Sequence, residues 1–185
     1  MSIQTRTIPA ETIERAKKGD LFAFEEIVAE FEKPLWNYLV RLSGSRDDAE
    51  DLIQDTFVKV YKHIKTIDPS KNIKSWIYTI ATNTAYDYLR KKKREALVEL
   101  DDEHETNGDS VSYNSIAIEE NMESKDVAAA IERLDALYKG PILLYYKDGF
   151  SYEEIAQMLS IPINTLKTRL SRAKKQLATL LVNYQ

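Results

Sequence analysis

Apolar residues recur at steps of three and four along most of the chain, which is the spacing of amphipathic α-helices. The cleanest such stripe consists of Ala49, Leu52, Ile53, Phe57, Val60, Tyr61 and Ile64. The strict apolar–polar alternation of a half-buried β-strand is nearly absent. The pattern therefore predicts an all-α protein, and five Gly and five Pro among 185 residues fit long helices with few tight turns.

Glycine, proline and small polar residues mark the predicted helix ends. Gly19-Asp20 predicts a helix stop followed by an N-cap, and Ser45, with Asp48 three residues on, predicts a second cap. Pro34 is expected to break or kink the helix that contains it, because proline lacks the backbone N–H. Gly140-Pro141 is expected to break a later helix for the same reason.

The last third of the chain has the pattern of two helices joined by a tight turn. Ser151 and Glu154 have the spacing of a capping box. Pro162 is expected to stop the first helix, and Asn164 is expected to cap the second. The second helix is expected to bury an apolar stripe of Leu166, Leu170, Ala173, Leu177, Leu180 and Leu181.

Every charge on that second helix is positive, because residues 156–185 contain no Asp or Glu. Cations and hydroxyls on one helix suit the phosphates and base edges of a DNA groove. The candidate DNA contacts are Thr165, Lys167, Thr168, Arg169, Ser171, Arg172 and Lys175. A solvated basic surface helix is the alternative, but cap, turn and one-signed charge together favour a DNA-reading helix-turn-helix.

A second nucleic-acid signal is the cationic run 90–94, which follows an aromatic-rich helix. Aromatic rings stack on unpaired bases, and cations follow the backbone. The aromatic candidates are Trp76, Tyr78, Tyr86 and Tyr88, beside Arg90 and Lys91. Asn83 offers the paired donor and acceptor that read a base edge. The alternatives are a core role for Trp76, a local hydrogen bond for Asn83 and a solvated helix end.

The acidic residues near position 50 predict a partner surface rather than a metal site. Those within 47–50 fall in the first turn of a helix, where carboxylates favour the helix dipole. Asp51, Gln54 and Asp55 share one predicted exposed face. No Cys is present, and neither a glycine-rich phosphate loop nor a nucleophile elbow occurs. The sequence therefore predicts no enzyme, no metal and no cofactor.

Charge divides the chain into three blocks, although the net charge is only −4. Residues 96–126 contain ten acidic side chains and one Lys, with few large apolar residues. This composition predicts a flexible acidic linker over 96–123 between two small helical domains, 1–95 and 124–185. The start of the chain has no apolar leader, and no apolar run reaches 18 residues, so we expect a cytoplasmic protein without membrane insertion.

Four ordered blocks resemble the extracytoplasmic-function (ECF) sigma factors, group 4 of the sigma-70 family. They are Lys18-Gly19-Asp20 through Phe24, residues 48–61 (DAEDLIQDTFVKVY), residues 76–91 and residues 150–177. The resemblance covers nearly the whole chain outside the linker. Three departures are Pro34 inside a helix, Gly140 where the family more often has Leu, and Asn164 in place of a frequent Gly.

The resemblance implies that the first domain grips the clamp of core RNA polymerase and melts the −10 promoter element, while the second reads the −35 element near the polymerase flap. It assigns core binding to Asp51, Gln54, Asp55 and Lys59. It assigns −10 binding to Lys71, Lys74, Trp76, Asn83, Tyr86, Arg90 and Lys91. It assigns −35 readout to the helix that begins near Thr165. It also implies an anti-sigma factor as a further partner.

Two alternatives remain open from the sequence. A stand-alone helix-turn-helix regulator would bind duplex DNA without polymerase, but such proteins usually dimerise on paired half-sites, and no dimerisation segment is evident. The acidic linker is either a passive tether or, as the resemblance suggests, a mimic of RNA phosphates in the exit path of the polymerase.

Overall fold

The computed structural model describes residues 8–68, 72–101 and 122–182, and within these ranges all the regular structure is helical. The all-α prediction is therefore confirmed. In chain order the helices are α1 (Ala10–Lys17), α2 (Leu21–Ser43), α3 (Arg46–His63), a short 3-10 helix (Ile64–Thr66), α4 (Ile73–Asp101), α5 (Met122–Glu132), α6 (Ala136–Tyr146), α7 (Tyr152–Met158) and α8 (Ile163–Val182).

The first two helices meet at the predicted stop and cap. Gly19 has φ +92°, a left-handed conformation that glycine adopts without steric cost. The Asp20 carboxylate then accepts the backbone N–H of Ala23 at 3.2 Å, which satisfies a free donor at the start of α2. Arg15 at the end of α1 holds Asp20 from the other side, with 2.7 Å between nitrogen and oxygen.

Helix α2 runs through Pro34 as one element, so the predicted break there is wrong. Phe31 and Leu35, on either side of the proline, are both almost fully buried in the same core. This burial outweighs the one hydrogen bond that proline cannot donate. The helix ends instead at Gly44, whose φ of 76° is the usual left-handed C-cap.

Ser45 caps α3 as predicted, because its hydroxyl accepts the backbone N–H of Asp48 at 3.2 Å. The apolar stripe of α3 is buried from Ala49 to Val60. Tyr61 is the exception: it is 49% exposed, and only its ring edge packs on Phe24, with centroids 5.0 Å apart. Its predicted place in the core is therefore wrong, and the side chain belongs to the surface of α3.

Helix α4 is capped by Asn72, whose side-chain oxygen accepts the backbone N–H groups of Lys74 and Ser75 at 3.0 and 3.4 Å. It then continues for 29 residues to Asp101, past the domain boundary expected at residue 95. Residues 91–97 on this extension are exposed. Most of the predicted linker, 102–121, lies outside the described residues.

The break in the C-terminal region falls before Gly140-Pro141, so that prediction is wrong. The chain turns between α5 and α6, where the Asp135 carboxylate accepts the backbone N–H of Leu137 at 2.9 Å and starts α6. Gly140 and Pro141 lie buried inside α6, which continues to Tyr146. The cap fixes the helix start, and the burial of Leu143 and Leu144 keeps the helix intact across the proline.

The helix-turn-helix forms as predicted, with two differences in its turn. Ser151 and Glu154 make both hydrogen bonds of the capping box. Helix α7 already ends at Met158, and Ser160 makes the turn with φ 51°, so Pro162 does not end the helix. Asn164 lies inside α8 and does not cap it, because the Pro162 carbonyl already accepts the N–H of Leu166 at 3.1 Å.

The apolar stripe of α8 is fully buried only in its first half. Leu166, Leu170 and Ala173 are buried against the rest of the region. The later members of the predicted stripe, Leu177, Leu180 and Leu181, are half-buried. The predicted burial of the whole stripe therefore holds for the part of α8 that forms the helix-turn-helix.

The two helical regions pack directly against each other, since α6 contacts α2 and α7 contacts α4. At the junction, the rings of Tyr78 and Phe150 meet edge to face with centroids 4.9 Å apart. Tyr78 packs in turn on Tyr38 at 5.5 Å. As a result, the buried side chains of both regions form one continuous hydrophobic cluster. Within the described ranges, no helix is both long and apolar enough to cross a membrane.

Candidate polymerase and DNA interfaces

The residues of α3 that were predicted to contact a partner are mostly exposed to solvent. Asp51, Gln54 and Asp55 are all exposed, and their spacing places them on one face of the helix. Val58, 50% exposed, continues the same face by one turn. Lys59 departs from this set, because its ammonium turns toward α4 and donates to the Thr84 hydroxyl at 2.9 Å. The structure thus brings three of the four predicted residues together.

The start of α3 is tied to α4 by a polar network that the sequence did not predict. The Tyr88 hydroxyl donates to one oxygen of Asp48 at 2.8 Å, and the Lys92 ammonium donates to the other at 2.7 Å. These hydrogen bonds raise the pKa of both Tyr88 and Lys92. The network fixes the direction of α3 relative to the cationic run of α4, because one carboxylate holds two side chains from the same helix.

One side of α4 carries three of the predicted −10 residues. Trp76, Asn83 and Arg90 follow one another at intervals of seven, so they line a single stripe along the helix. Asn83 and Arg90 are exposed, and Trp76 is half-buried against the core. Trp76 is therefore partly a core residue and partly a surface aromatic.

The cations at the end of that stripe have only weak partners. Arg90 lies 3.7 Å from Asp87, and Lys91 lies 3.7 Å from Glu95, all four side chains being well exposed. Exposed ion pairs of this kind contribute about 0–1 kcal/mol, so a phosphate can replace the carboxylate at little cost.

The remaining −10 candidates face the C-terminal region instead of solvent. The Lys74 ammonium donates to the backbone carbonyl of Asp148 at 2.6 Å and lies 4.6 Å from the centre of the Phe150 ring. The Tyr86 hydroxyl donates to the carbonyl of Ala136 at 3.3 Å. Lys71 lies outside the described residues. The predicted −10 set is thus divided between an open stripe and a covered flank of α4.

The covered flank contains a half-buried carboxylate. Asp148 accepts the Tyr78 hydroxyl at 2.8 Å. Burial raises the pKa of Asp148 to about 6, although the hydrogen bond from Tyr78 and the charge of Lys74 act in the opposite direction. Burial also raises the pKa of Tyr78 far above its usual range, which keeps its hydroxyl protonated as the donor.

Glu154 makes a further polar contact between the regions. Its carboxylate closes the capping box of α7 and also accepts the Ser75 hydroxyl of α4 at 3.0 Å. Burial alone would raise the pKa of Glu154, but the hydrogen bonds from Ser151 and Ser75 outweigh it and lower the pKa. The sequence identified Glu154 only as a cap, and no pattern in the sequence indicated a role for Asp148.

Helix α8 presents most of its predicted DNA contacts to solvent. Thr165 and Arg169 are half-buried, and the exposed members are Lys167, Thr168, Ser171, Arg172 and Lys175. The Thr168 hydroxyl donates to the carbonyl of Asn164 at 2.9 Å, one turn earlier in the helix. Burial raises the pKa of Tyr86 in α4, and the positive charge of Arg169 opposes that rise.

The three surfaces differ in charge. The face of α3 is acidic and polar, whereas the exposed end of α4 at residues 90–94 and the outer face of α8 are cationic. Among the described residues, no group of three or more His, Asp or Glu side chains could hold a metal ion.

Two family models match the chain, and they match its two regions separately. Sigma-70 region 2 covers residues 27–95, and Sigma-70 region 4 covers residues 124–177. The first match contains α3 and the stripe of α4, and the second contains α6, α7 and the first part of α8.

Individual relatives match over most of their length. The chain is 31% identical over 172 residues to the ECF RNA polymerase sigma factor SigW of Bacillus subtilis, which covers 89% of this chain and 92% of that one. It is 30% identical over 172 residues to the ECF RNA polymerase sigma-E factor of Haemophilus influenzae, with coverage of 89% and 90%.

Solved structures agree with the sequence relatives. The sigma factor RpoE of Bartonella quintana, in complex with the anti-sigma factor NepR, superposes with a TM-score of 0.69 at 30% identity, covering 85% of this chain and 96% of that one. CnrH, in complex with the cytosolic domain of CnrY, shares the fold with a TM-score of 0.68 at 22% identity, covering 96% and 99%. From its two matched regions and its relatives, the chain belongs to the extracytoplasmic-function group of the sigma-70 family of RNA polymerase sigma factors.

Proposed function

We propose that this chain works in the cytoplasm through three separate surfaces: the α3 face on the polymerase clamp, the α4 stripe on the −10 element and α8 on the −35 element. The chain is a promoter-specificity subunit that binds core RNA polymerase and directs it to a subset of promoters. The observation that carries the assignment is the separation of one acidic exposed face from two cationic ones. Each surface suits a different partner, because polymerase and DNA present different charge and shape.

The assignment of the clamp to α3 rests on an exposed, close-set group. Asp51, Gln54 and Asp55 offer carboxylates and an amide, and Val58 adds an apolar contact beside them. Small protein interfaces commonly combine an apolar centre with a polar rim. Lys59 is left out of the direct contact, because its ammonium is engaged with Thr84.

The test of the clamp surface is charge reversal in the middle of that group. Asp55→Arg should weaken binding to core RNA polymerase about tenfold or more, because a charge aligned for its partner becomes repulsive. Glu32→Arg, an equal reversal at an exposed position of α2, is the matched control. Affinity is read by titrating labelled chain with core polymerase, and equal affinities for both variants would contradict the assignment.

The assignment of the −10 element to α4 rests on Asn83 and Arg90. An exposed amide above an exposed guanidinium can read an unpaired base and hold the neighbouring phosphate. Asn83→Ala should therefore reduce promoter opening more than duplex binding. Permanganate reactivity of unpaired thymines reports opening, and a filter-binding assay on the same holoenzyme reports duplex binding. Normal opening with normal binding would remove Asn83 from the assignment.

The assignment of the −35 element to α8 rests on a helix without acidic residues at the end of a helix-turn-helix. In this motif the second helix enters the major groove with its N-terminal half. The exposed cations of that half are Lys167 and Arg172. Arg169 can join them once the two regions separate.

The regulatory partner is proposed from the solved relatives. RpoE of Bartonella quintana was crystallised with an anti-sigma factor, and this chain shares 30% identity and most of its fold. We therefore expect a protein inhibitor that covers one of the three surfaces. A protein captured from source cells qualifies only if, after purification, it lowers transcription by the reconstituted holoenzyme in proportion to its concentration.

The stand-alone regulator is not favoured, and we expect no covalent chemistry from this chain alone. The discriminating experiment adds the chain to core polymerase on fragmented genomic DNA and sequences the transcript starts. New starts that share upstream elements are expected only when both components are present. Binding of the free chain to paired half-sites, without any new starts, would favour the stand-alone regulator instead.

A further inference from the structure

The two regions meet along one flank of α4, and that junction has a defined tightest point. Tyr86 of α4 and Gly140 of α6 face each other there, and Gly140 is fully buried. A Cβ atom added to Gly140 would overlap the Tyr86 hydroxyl oxygen and lie 3.1 Å from Cζ. The close approach of α6 to α4 therefore requires glycine at this position.

The backbone conformation at position 140 does not require glycine. It lies inside α6, where glycine is a poorer helix former than alanine. The three glycines with positive φ in the described residues are Gly19, Gly44 and Gly149, so Gly140 is not among those that need a left-handed conformation. Glycine at position 140 therefore weakens the helix locally, and its structural benefit is that it leaves room for the Tyr86 side chain.

The same flank of α4 also makes polar contacts, about two to three turns nearer the start of the helix. Lys74 and Tyr78 reach Asp148, and Ser75 reaches Glu154. These contacts connect α4 to the segment that begins the helix-turn-helix. Together with Gly140 and Tyr86 they hold the helix-turn-helix beside the N-terminal region.

This closed arrangement cannot serve both promoter elements at once. Elements centred about 25 base pairs apart are separated by roughly 85 Å along the DNA axis. In the closed arrangement the helix-turn-helix packs on α4 through α7, and Lys74 and Tyr86 are covered. Reading both elements therefore requires the two regions to separate, and this step rests on the proposed function.

We propose that Gly140 and Tyr86 form an intramolecular latch that holds the free chain closed, so that its two DNA-binding regions are released for the promoter only when the latch opens. The latch is steric, because Tyr86 can pack closely on α6 only when residue 140 has no side chain. The contacts of Asp148 and Glu154 with α4 strengthen the same closed state. Core polymerase opens the latch if it binds the separated regions more tightly than the closed chain.

The test uses two spin labels on the free, full-length chain. The chain has no Cys, so Glu32→Cys and Gln157→Cys provide the only thiols, one exposed in each region. Electron–electron double resonance then gives the distribution of distances between the regions. The parent should show one narrow short distance, and Gly140→Leu should replace it with a broad, longer one. A parent with a broad distribution would overturn the latch.

Rescue at Tyr86 separates a steric latch from a damaged helix. Gly140→Ala should raise the ratio of open to closed chains about tenfold, since overpacking at a buried contact is destabilising. Adding Tyr86→Phe removes the hydroxyl that the new methyl group meets and should return the distances toward those of the parent. Circular dichroism should show unchanged or slightly higher helicity in Gly140→Ala. Open distances that persist in the double variant would overturn the steric account.

A second measurement connects the latch to assembly. Gly140→Ala should lower the concentration of chain needed for half-maximal holoenzyme formation several-fold, because less closed chain must first be opened. An unchanged concentration in a variant that the labels show to be open would overturn the latch as a control of release. A parent that never binds core polymerase, but is closed by the labels, would overturn the proposed function and leave the closed contact standing.

Discussion

Helices α4 and α8 both carry exposed cations that are candidate DNA contacts, but they are built differently. Helix α8 has no acidic residue over its 20 residues, and its buried Leu166 and Leu170 face away from its cations. Helix α4 carries acidic partners for its cations, and within a few turns it places Tyr78 in the core and Asn83 in solvent. In α8 the buried residues and the candidate DNA contacts are separate sets. In α4, core residues, candidate DNA contacts and residues of the junction alternate along one helix.

The difference teaches where mutations can be interpreted simply. A substitution on the outer face of α8 should change DNA binding with little effect on folding. A substitution on α4 can change core packing, the junction with α6 and α7, and DNA contacts together. The predictions below break or sharpen this contrast, from the largest expected effect to the smallest.

Leu170→Ala should lower the free energy of unfolding by about 2–5 kcal/mol, because it removes a buried side chain and leaves a cavity. Leu170 is 2% exposed, and Ile77 of α4 is completely buried. If the two regions unfold as one body, Ile77→Ala should lower the same urea transition by a similar amount. Two separate transitions, each moved by only one variant, would instead show that the regions fold independently.

Arg172→Ala should weaken binding of the holoenzyme to duplex DNA carrying the −35 element by about 1–3 kcal/mol, the cost of losing a bidentate base contact. Arg172 is exposed, so thermal stability should not change. Lys175→Ala is the matched control, one turn further along the same helix, and should weaken all sequences alike. Fluorescence anisotropy with wild-type and single-base variants of the element separates the two cases, and equal losses on every sequence would remove Arg172 from base readout.

The junction should tighten as the pH falls from 8 to 5. Burial raises the pKa of Asp148 to about 6, above its value in an open chain, so the protonated form favours the closed state. That stabilisation is complete below about pH 4 and is lost as the pH rises through 6. The groups that act on this carboxyl are the Tyr78 hydroxyl, which donates to it, and the positive charges of Lys74, Arg41 and Lys147, all of which lower its pKa and oppose the effect of burial.

Asp148→Asn tests this pH dependence, because the amide still accepts the Tyr78 hydroxyl but does not titrate. The difference in unfolding free energy between parent and variant should change by about 1 kcal/mol between pH 5 and 8, after allowance for solvent at a partly exposed group. Urea titrations at each pH measure it. A difference that is independent of pH would mean that Asp148 ionises as it does in water.

The smallest effect is expected from Lys91→Ala at the exposed end of the α4 stripe. Loss of its pair with Glu95 should change stability by less than about 0.5 kcal/mol. If Lys91 contacts a phosphate, the slope of log affinity against log salt should fall by about 1. Glu95→Ala breaks the same pair and keeps the cation, so its slope should not decrease. Equal slopes for Lys91→Ala and the parent would place the phosphate contact elsewhere.

Local rules were sufficient for the helices and most of their caps. Gly19-Asp20, Ser45 and Ser151 each set a helix start through neighbouring backbone groups, and the structure confirms them. The errors at Pro34 and Pro141 share one cause: burial on both sides of the proline outweighs its missing hydrogen bond. That burial depends on other helices and is therefore invisible in a local pattern.

The candidate interfaces, too, were predictable where local spacing determines them and not where long-range contacts do. Exposure on α3 and α8 was predictable from helical periodicity, as Asp55 and Arg172 illustrate. The positions of Lys59, Lys74 and Tyr86 were not, since each depends on a contact with a residue 25 or more positions away. Asp148 had no recognisable pattern, because a single carboxylate acquires its burial only from the docking of two regions.

The exposed extension of α4 has a consequence for promoter geometry. The 20 residues from 102 to 121 cannot span more than about 70 Å in any conformation. Helical residues 91–101 add a stiff arm of roughly 16 Å before that tether begins. Together the arm and this segment span at most roughly 85 Å, about the separation of two elements 25 base pairs apart, and the folded regions at either end extend that reach further. Each base pair added between the two elements would require about 3.4 Å more of this reach, so a longer spacer should be bound less well once the segment is fully extended.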